Sequence, residues 1–194
     1  KTLFPYTTLF RSVWDEDATA HQTQGTFGQA AAFIVYLGFS PGFRMIRDRF
    51  INVSGDALFN FQGATGVVVR DIEVSGADLP NGVVYVRGAR RALIDGITGH
   101  GIRTGSPIQI NPTTAYDVFD VNIRNIMLDN VSMWLSSQSQ AKAMVWASDF
   151  NSGTGGLVTG PVTVENYSMS VHGDDSYCAL FMDGGNGDES TAAN

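Results

Sequence analysis

The chain has a single cysteine, Cys178. It has no partner within the chain, which excludes a disulfide framework and a thiolate metal site. In "CALFM" it reads as a small buried hydrophobe. No run of about 18 apolar residues occurs, so no helix long enough to cross a bilayer is expected. Basic residues are scarce: 12 Lys and Arg stand against 19 Asp and Glu, for a net charge of −7. Without a basic face the chain is expected to bind neither nucleic acid nor a membrane surface. A Ser-His-Asp order, a phosphate loop and a dinucleotide fingerprint are also absent, and "GATG" at Gly63 is a turn.

What is present is glycine, 22 residues of 194, in a chain that is 43% apolar. That composition fits a folded domain with many tight turns between short strands. Acidic, glycine-rich β chains are common among extracellular and virion proteins, and that is the expected location.

A repeat organises the strands. "VVVRDIEV" (Val67–Val74) returns as "ALIDGITG" (Ala92–Gly99), "VNIRNIML" (Val121–Leu128) and "VTVENYSM" (Val162–Met169), with a looser copy in "IRDRFINV" (Ile46–Val53). The third positions are Asp48, Val69, Ile94, Ile123 and Val164, spaced by 21, 25, 29 and 41 residues. A second strand-like stretch follows each copy: "ALFNF", "VVYV", "PIQI", "AMVWA" and "ALFMD". The period is two and the residues are β-branched, which excludes a helical array. A polar pair inside each first strand predicts a bend. Asp71, Gly96, Asn125 and Asn166 share the bend column, and stacked Asn side chains can hydrogen-bond from coil to coil. The sequons at Asn52, Asn130 and Asn166 are accounted for by the same turn chemistry.

This pattern, over Phe43 to Gly185, resembles the right-handed parallel β-helix of the pectin-lyase-like superfamily. The resemblance implies an all-β solenoid of about five coils, with Val69, Ile94, Ile123 and Val164 as an inward ladder. A solenoid needs a cap at its first coil. "TFGQ" (Thr26–Gln29) is a capping box, and the apolar run "AAAFIVYLGF" after it, ended by "SPG", predicts a short buried helix. A strand in "FIVYLGF" is the alternative. The stretch Val13–Ala30, "VWDEDATAHQTQGTFGQA", resembles a spacer of tailed-phage virion and tail-appendage proteins. That resemblance implies a virion location and, if the chain is tailspike-like, a homotrimer.

Enzymes of this superfamily cut or eliminate polysaccharides in a groove fed by turns of adjacent coils. Hydrolysis needs two carboxylates flanking the bond, and elimination needs a base and a cation beside the uronate. "GHGIR" (Gly99–Arg103) and "HGDD" (His172–Asp175) resemble two polygalacturonase motifs, but in reversed order and without the family's Asn-Thr-Asp and Arg-Ile-Lys motifs. That mechanism is therefore not carried over. The candidate catalytic residues are Asp174, Asp175, His100 and Arg103. Asp78, Asn130 and His172 lie at corresponding turns, and coils stack about 4.8 Å apart, so one edge gathers groups able to bind a glycan. Trp134 and Tyr177 add stacking surfaces there, whereas Trp146 sits inside a strand and reads as core. Solvated turn residues would have the same composition.

No cofactor is expected. The weak exception is calcium at "GGNGDE" (Gly184–Glu189), where Asp183, Asp188 and Glu189 offer oxygen ligands. The expected function is a module binding polysaccharide or a cell-surface glycan, with a polysaccharide lyase or glycoside hydrolase as the alternative. The expected organisation is a linker and capping helix over 13–42, the β-helix over 43–185, and an acidic tail or truncated next coil over 186–194. Lys1–Ser12 stands apart. Thr2–Ser12, "TLFPYTTLFRS", resembles the translation of a widely used short-read sequencing adapter, so this segment is set aside from the fold and the chain is expected to be a fragment.

Overall fold

The computed structural model describes residues 13–15, 35–112, 116–134, 142–148, 158–172 and 177–183. They form one sheet system of 13 strands: β1 (Val13–Asp15), β2 (Val35–Gly38), β3 (Arg44–Ile46), β4 (Arg49–Ile51), β5 (Phe59–Thr65), β6 (Val68–Ser75), β7 (Val84–His100), β8 (Arg103–Thr104), β9 (Ile108–Ile110), β10 (Val118–Met133), β11 (Ala143–Ser148), β12 (Val162–Val171) and β13 (Cys178–Asp183). Every strand pairing is parallel, which rules out a hairpin array and makes a β-solenoid of about four turns.

Three ladders run along the solenoid. In the first, Met45, Val69, Ile94, Ile123 and Val164 stand in register across β3, β6, β7, β10 and β12. In the second, Phe50, Val74, Gly99, Leu128 and Met169 align across β4, β6, β7, β10 and β12. In the third, Phe61, Val86, Ile110 and Ala147 align across β5, β7, β9 and β11. The five rungs of the first ladder are the five repeats, and they enclose about four turns. Alternation sends one residue in two to the interior, where Val69, Ile94, Ile123, Phe50, Phe59 and Phe61 are fully buried. Phe59 sits edge-on to Phe50, with ring centroids 5.8 Å apart. Each such side chain contributes roughly 1.5–3 kcal/mol through burial.

The bend between the first two ladders is a column of left-handed residues: Arg47 (φ 65°), Asp71 (55°), Gly96 (80°), Asn125 (57°) and Asn166 (51°). Asp, Asn and Gly adopt this conformation at low cost. The side chains then link coils. Asn166 Nδ2 donates to Asn125 Oδ1, and Asn125 Nδ2 donates to Asp95 Oδ1 at 2.6 Å. Asp95 also accepts from Arg124 at 2.9 Å and pairs with Arg70 at 3.6 Å. The Arg124 hydrogen bond, more than any other contact, holds the Asp95 carboxyl below its ordinary value. A second left-handed column, Asn52, Gly76, Gly101 and Asn130, turns the chain after the second ladder.

Three expectations are corrected. The first repeat is in register at Met45, 24 residues before Val69, because Arg47 takes the left-handed bend position. Asp48 instead falls just after the bend and is buried. Val35–Gly38, expected in a capping helix, is strand β2 paired with β5, as the β-branched and aromatic residues there favour. The rest of that stretch lies outside the described residues. Cys178 is exposed rather than buried, because β13 is the last described rung of the third ladder and no described coil covers it.

Candidate functional site

Three hydrogen-bonded groups form around the turn after the second ladder. The first is a row at the end of that ladder, one residue per coil: Ser75, His100 and Asp129 in register, with Ser170 beside Asp129 on β12. His100 Nδ1 lies 3.0 Å from Asp129 Oδ2, and the Ser170 hydroxyl donates to Asp129 Oδ1. The Ser170 hydrogen bond, followed by that of His100, holds the Asp129 carboxyl below its ordinary value. Asp129 is therefore ionised at neutral pH and only accepts, so Nδ1 of His100 is the donor in their hydrogen bond. Arg49, Glu73, Ser75, Thr98, His100, Met127 and Asp129 border a groove of about 370 Å³ on this face.

The second group joins Asp78 and Arg103 across adjacent coils at 3.1 Å, with the Arg103 guanidinium 4.3 Å from the centre of the Trp134 ring. Burial raises the Asp78 carboxyl pKa, and Arg103 pulls it back only in part. The third group is His172, whose Nδ1 lies 2.8 Å from Asn130 Oδ1.

Of the sequence-predicted residues, Asp78, Arg103 and Trp134 thus come together, as do Asn130 and His172, while His100 pairs with residues the prediction omitted. Arg103, a candidate catalytic residue, has its charge matched by Asp78. Trp134 covers Arg103 in addition to flanking the edge. Tyr177 is exposed, and its hydroxyl donates to the Met169 carbonyl at 3.1 Å. Asp174, Asp175 and the Gly184–Glu189 stretch lie outside the described residues, and the side chain of Asp183 is not described. Among the described residues no three His, Cys, Asp or Glu side chains are grouped to hold a metal ion, and no helix is long and apolar enough to cross a membrane.

Sequence reasoning missed Asp129 and Ser170, although the repeat contains them. The offset of 29 residues that carries Ile94 to Ile123 carries His100 to Asp129. The offset of 41 that carries Ile123 to Val164 carries Asp129 to Ser170.

A larger polar region was missed altogether, on the outer face of the third ladder. Asn60, Tyr85, Gln109 and Trp146 stand in register there. Asn81 Nδ2 donates to Asp56 Oδ1 at 2.5 Å, and the Arg87 guanidinium sits 5.6 Å from the centre of the Tyr85 ring. Tyr85 hydrogen-bonds Asn111, which donates to Gln109 Oε1 at 3.5 Å. Burial raises the pKa of both Asp56 and Tyr85. Asn60 is 0% and Gln109 1% exposed. Among the described residues neither amide atom of Asn60, nor Nε2 of Gln109, has a hydrogen-bond partner.

Compared with known proteins, the chain matches no family model, no curated protein and no solved structure.

Proposed function

We propose that this β-solenoid is a module that binds polysaccharide or a cell-surface glycan along the corner after its second ladder. The observation that carries the reading is the row Ser75, His100, Asp129 and Ser170: one hydrogen-bonding side chain per coil, half-buried at Ser75 and exposed at the other three, beside an open groove of about 370 Å³. A glycan repeats donors and acceptors along its length, and stacked coils repeat theirs about every 4.8 Å. A sugar chain laid along the corner therefore meets matching groups at successive coils. In this reading the module sits on an extracellular or virion surface. A phage tail appendage is one such setting, with three chains assembled if the protein is tailspike-like, and light scattering reads that number.

The experiment is a glycan array probed with the labelled protein and with Asp129→Ala. Binding of an oligosaccharide by the parent, weakened at least tenfold in the variant at unchanged melting temperature, is the expected result. Equal signals from the two would sink the reading.

One observation favours a second reading, a polysaccharide lyase or glycoside hydrolase. Asp129 holds the imidazole of His100 through Nδ1 and leaves Nε2 as the ring nitrogen available for proton transfer. Release of reducing ends or unsaturated products from polysaccharides, lost in His100→Gln while binding persists, separates this reading from binding alone.

A further inference from the structure

A second recess lies on another edge of the solenoid, where the third ladder turns back into the first. It encloses about 270 Å³ between Gly63, Ala64, Thr65, Ala89, Arg90, Tyr116 and Asp117. Three successive coils supply these walls, so the recess is a product of stacking.

Its shape follows from missing side chains. A Cβ on Gly88 would collide with the Cβ of Tyr116, and one on Gly63 would lie 3.2 Å from two atoms of the Tyr116 ring. Glycine at both positions lets the tyrosine lie across two coils and form one wall. Phe39 meets that ring edge-on, with centroids 5.2 Å apart. Phe39 is 69% exposed and has φ 51°, a strained conformation for a bulky residue. Burial recovers little of that strain, and such outliers concentrate where a ligand is clamped. On the other side Arg90 pairs with Asp117 at 3.2 Å while both stay open to solvent. Together the pair is neutral, yet it presents guanidinium donors and carboxylate acceptors side by side.

We infer that this recess binds one neutral sugar ring, packed against Tyr116 with its hydroxyls bonded to Arg90 and Asp117. An aromatic wall opposite a mixed donor and acceptor pair suits a ring that is apolar on its faces and hydroxylated at its rim. The internal ion pair disfavours an anionic sugar, which would compete with Asp117 for Arg90. The site is separate from the His100 corner and does not depend on it.

The test is an NMR titration of the isotope-labelled chain with the methyl glycosides of glucose, galactose, mannose and N-acetylglucosamine, and with methyl glucuronide. At least one neutral glycoside should shift the amides of Thr65, Arg90, Tyr116 and Asp117, with a dissociation constant on the order of 1 mM. Thr65→Phe fills the recess from an exposed strand position, and Tyr116→Ala removes the wall; each should weaken binding at least tenfold. Because Tyr116→Ala also removes packing, Thr65→Phe decides if that variant unfolds. The inference is overturned if no neutral glycoside shifts these amides, if only methyl glucuronide does, or if Thr65→Phe binds as the parent does. Shifts at His100 and Asp129 report the other site, so either site can fail alone.

Discussion

At the corner after the second ladder, His100 and Asp129 have side chains 65% and 70% exposed, and they are hydrogen-bonded to each other. On the outer face of the third ladder, Asn60 and Gln109 are buried, and the Asn60 amide and Gln109 Nε2 have no hydrogen-bond partner among the described residues. Both rows come from the same alternation of strands, and both carry polar side chains outward. The difference lies in solvent. An exposed polar row costs little to maintain and stays available to a ligand. A buried row with unmet hydrogen bonds works against folding. Polarity of an outward position therefore does not by itself mark a binding surface.

The two regions share one core, and the strongest test breaks that core behind one of them. Phe61→Ala empties a fully buried inward position of the third ladder and should cost about 3–5 kcal/mol in urea unfolding. If the solenoid is one cooperative unit, hydrogen exchange then accelerates at the Tyr85 and Asp129 amides alike. Acceleration at Tyr85 alone would show that the two regions open independently, as repeat arrays can.

Asn60→Leu tests the buried row directly. Replacing an unpartnered buried amide with an apolar group of similar size should raise stability by about 1–3 kcal/mol. A fall in the urea midpoint would mean that the amide is satisfied in the folded state.

Acid sharpens the contrast, because Asp56 beside the third ladder and Asp129 at the corner are shifted in opposite directions. Burial raises Asp56 from 3.8, so its contribution is greatest below pH 3.8 and is lost as pH rises through its folded value. Asp129 is lowered from 3.8, so its contribution is present above pH 3.8 and is lost as pH falls through its folded value. In stability measured against pH, Asp56→Asn should remove a gain on acidification and Asp129→Asn should remove a loss.

The smallest effect on stability is expected from Asp129→Ala, since exposed pairs contribute little. Its thermal midpoint should stay close to the parent's. A large fall would place the corner among the structural elements and remove the contrast with the third ladder.

Much of the fold was legible because the repeat states it. Offsets of 25, 29 and 41 residues placed Val69, Ile94, Ile123 and Val164 on one rung line, and they are in register. Asp71, Gly96, Asn125 and Asn166 were read as the bend from residue type, and all four have positive φ. The first repeat misled because Arg47, a residue with no turn preference, holds its bend position. Of the candidate site, single residues were legible but their pairings were less so. Asn130 was legible from its place at a corresponding turn, while its neighbour Asp129 holds His100.

The sequence by itself determined the parallel solenoid, its bend column and its inward faces. These depend on alternation and on left-handed tolerance, properties of a residue and its near neighbours repeated from coil to coil. Only the tertiary structure decided which outward side chains meet water. That depends on the side chains stacked beside each one in neighbouring coils: Asn60, in register with Tyr36 and Tyr85, is buried, while Asp129, equally polar and equally outward, stands open at the corner.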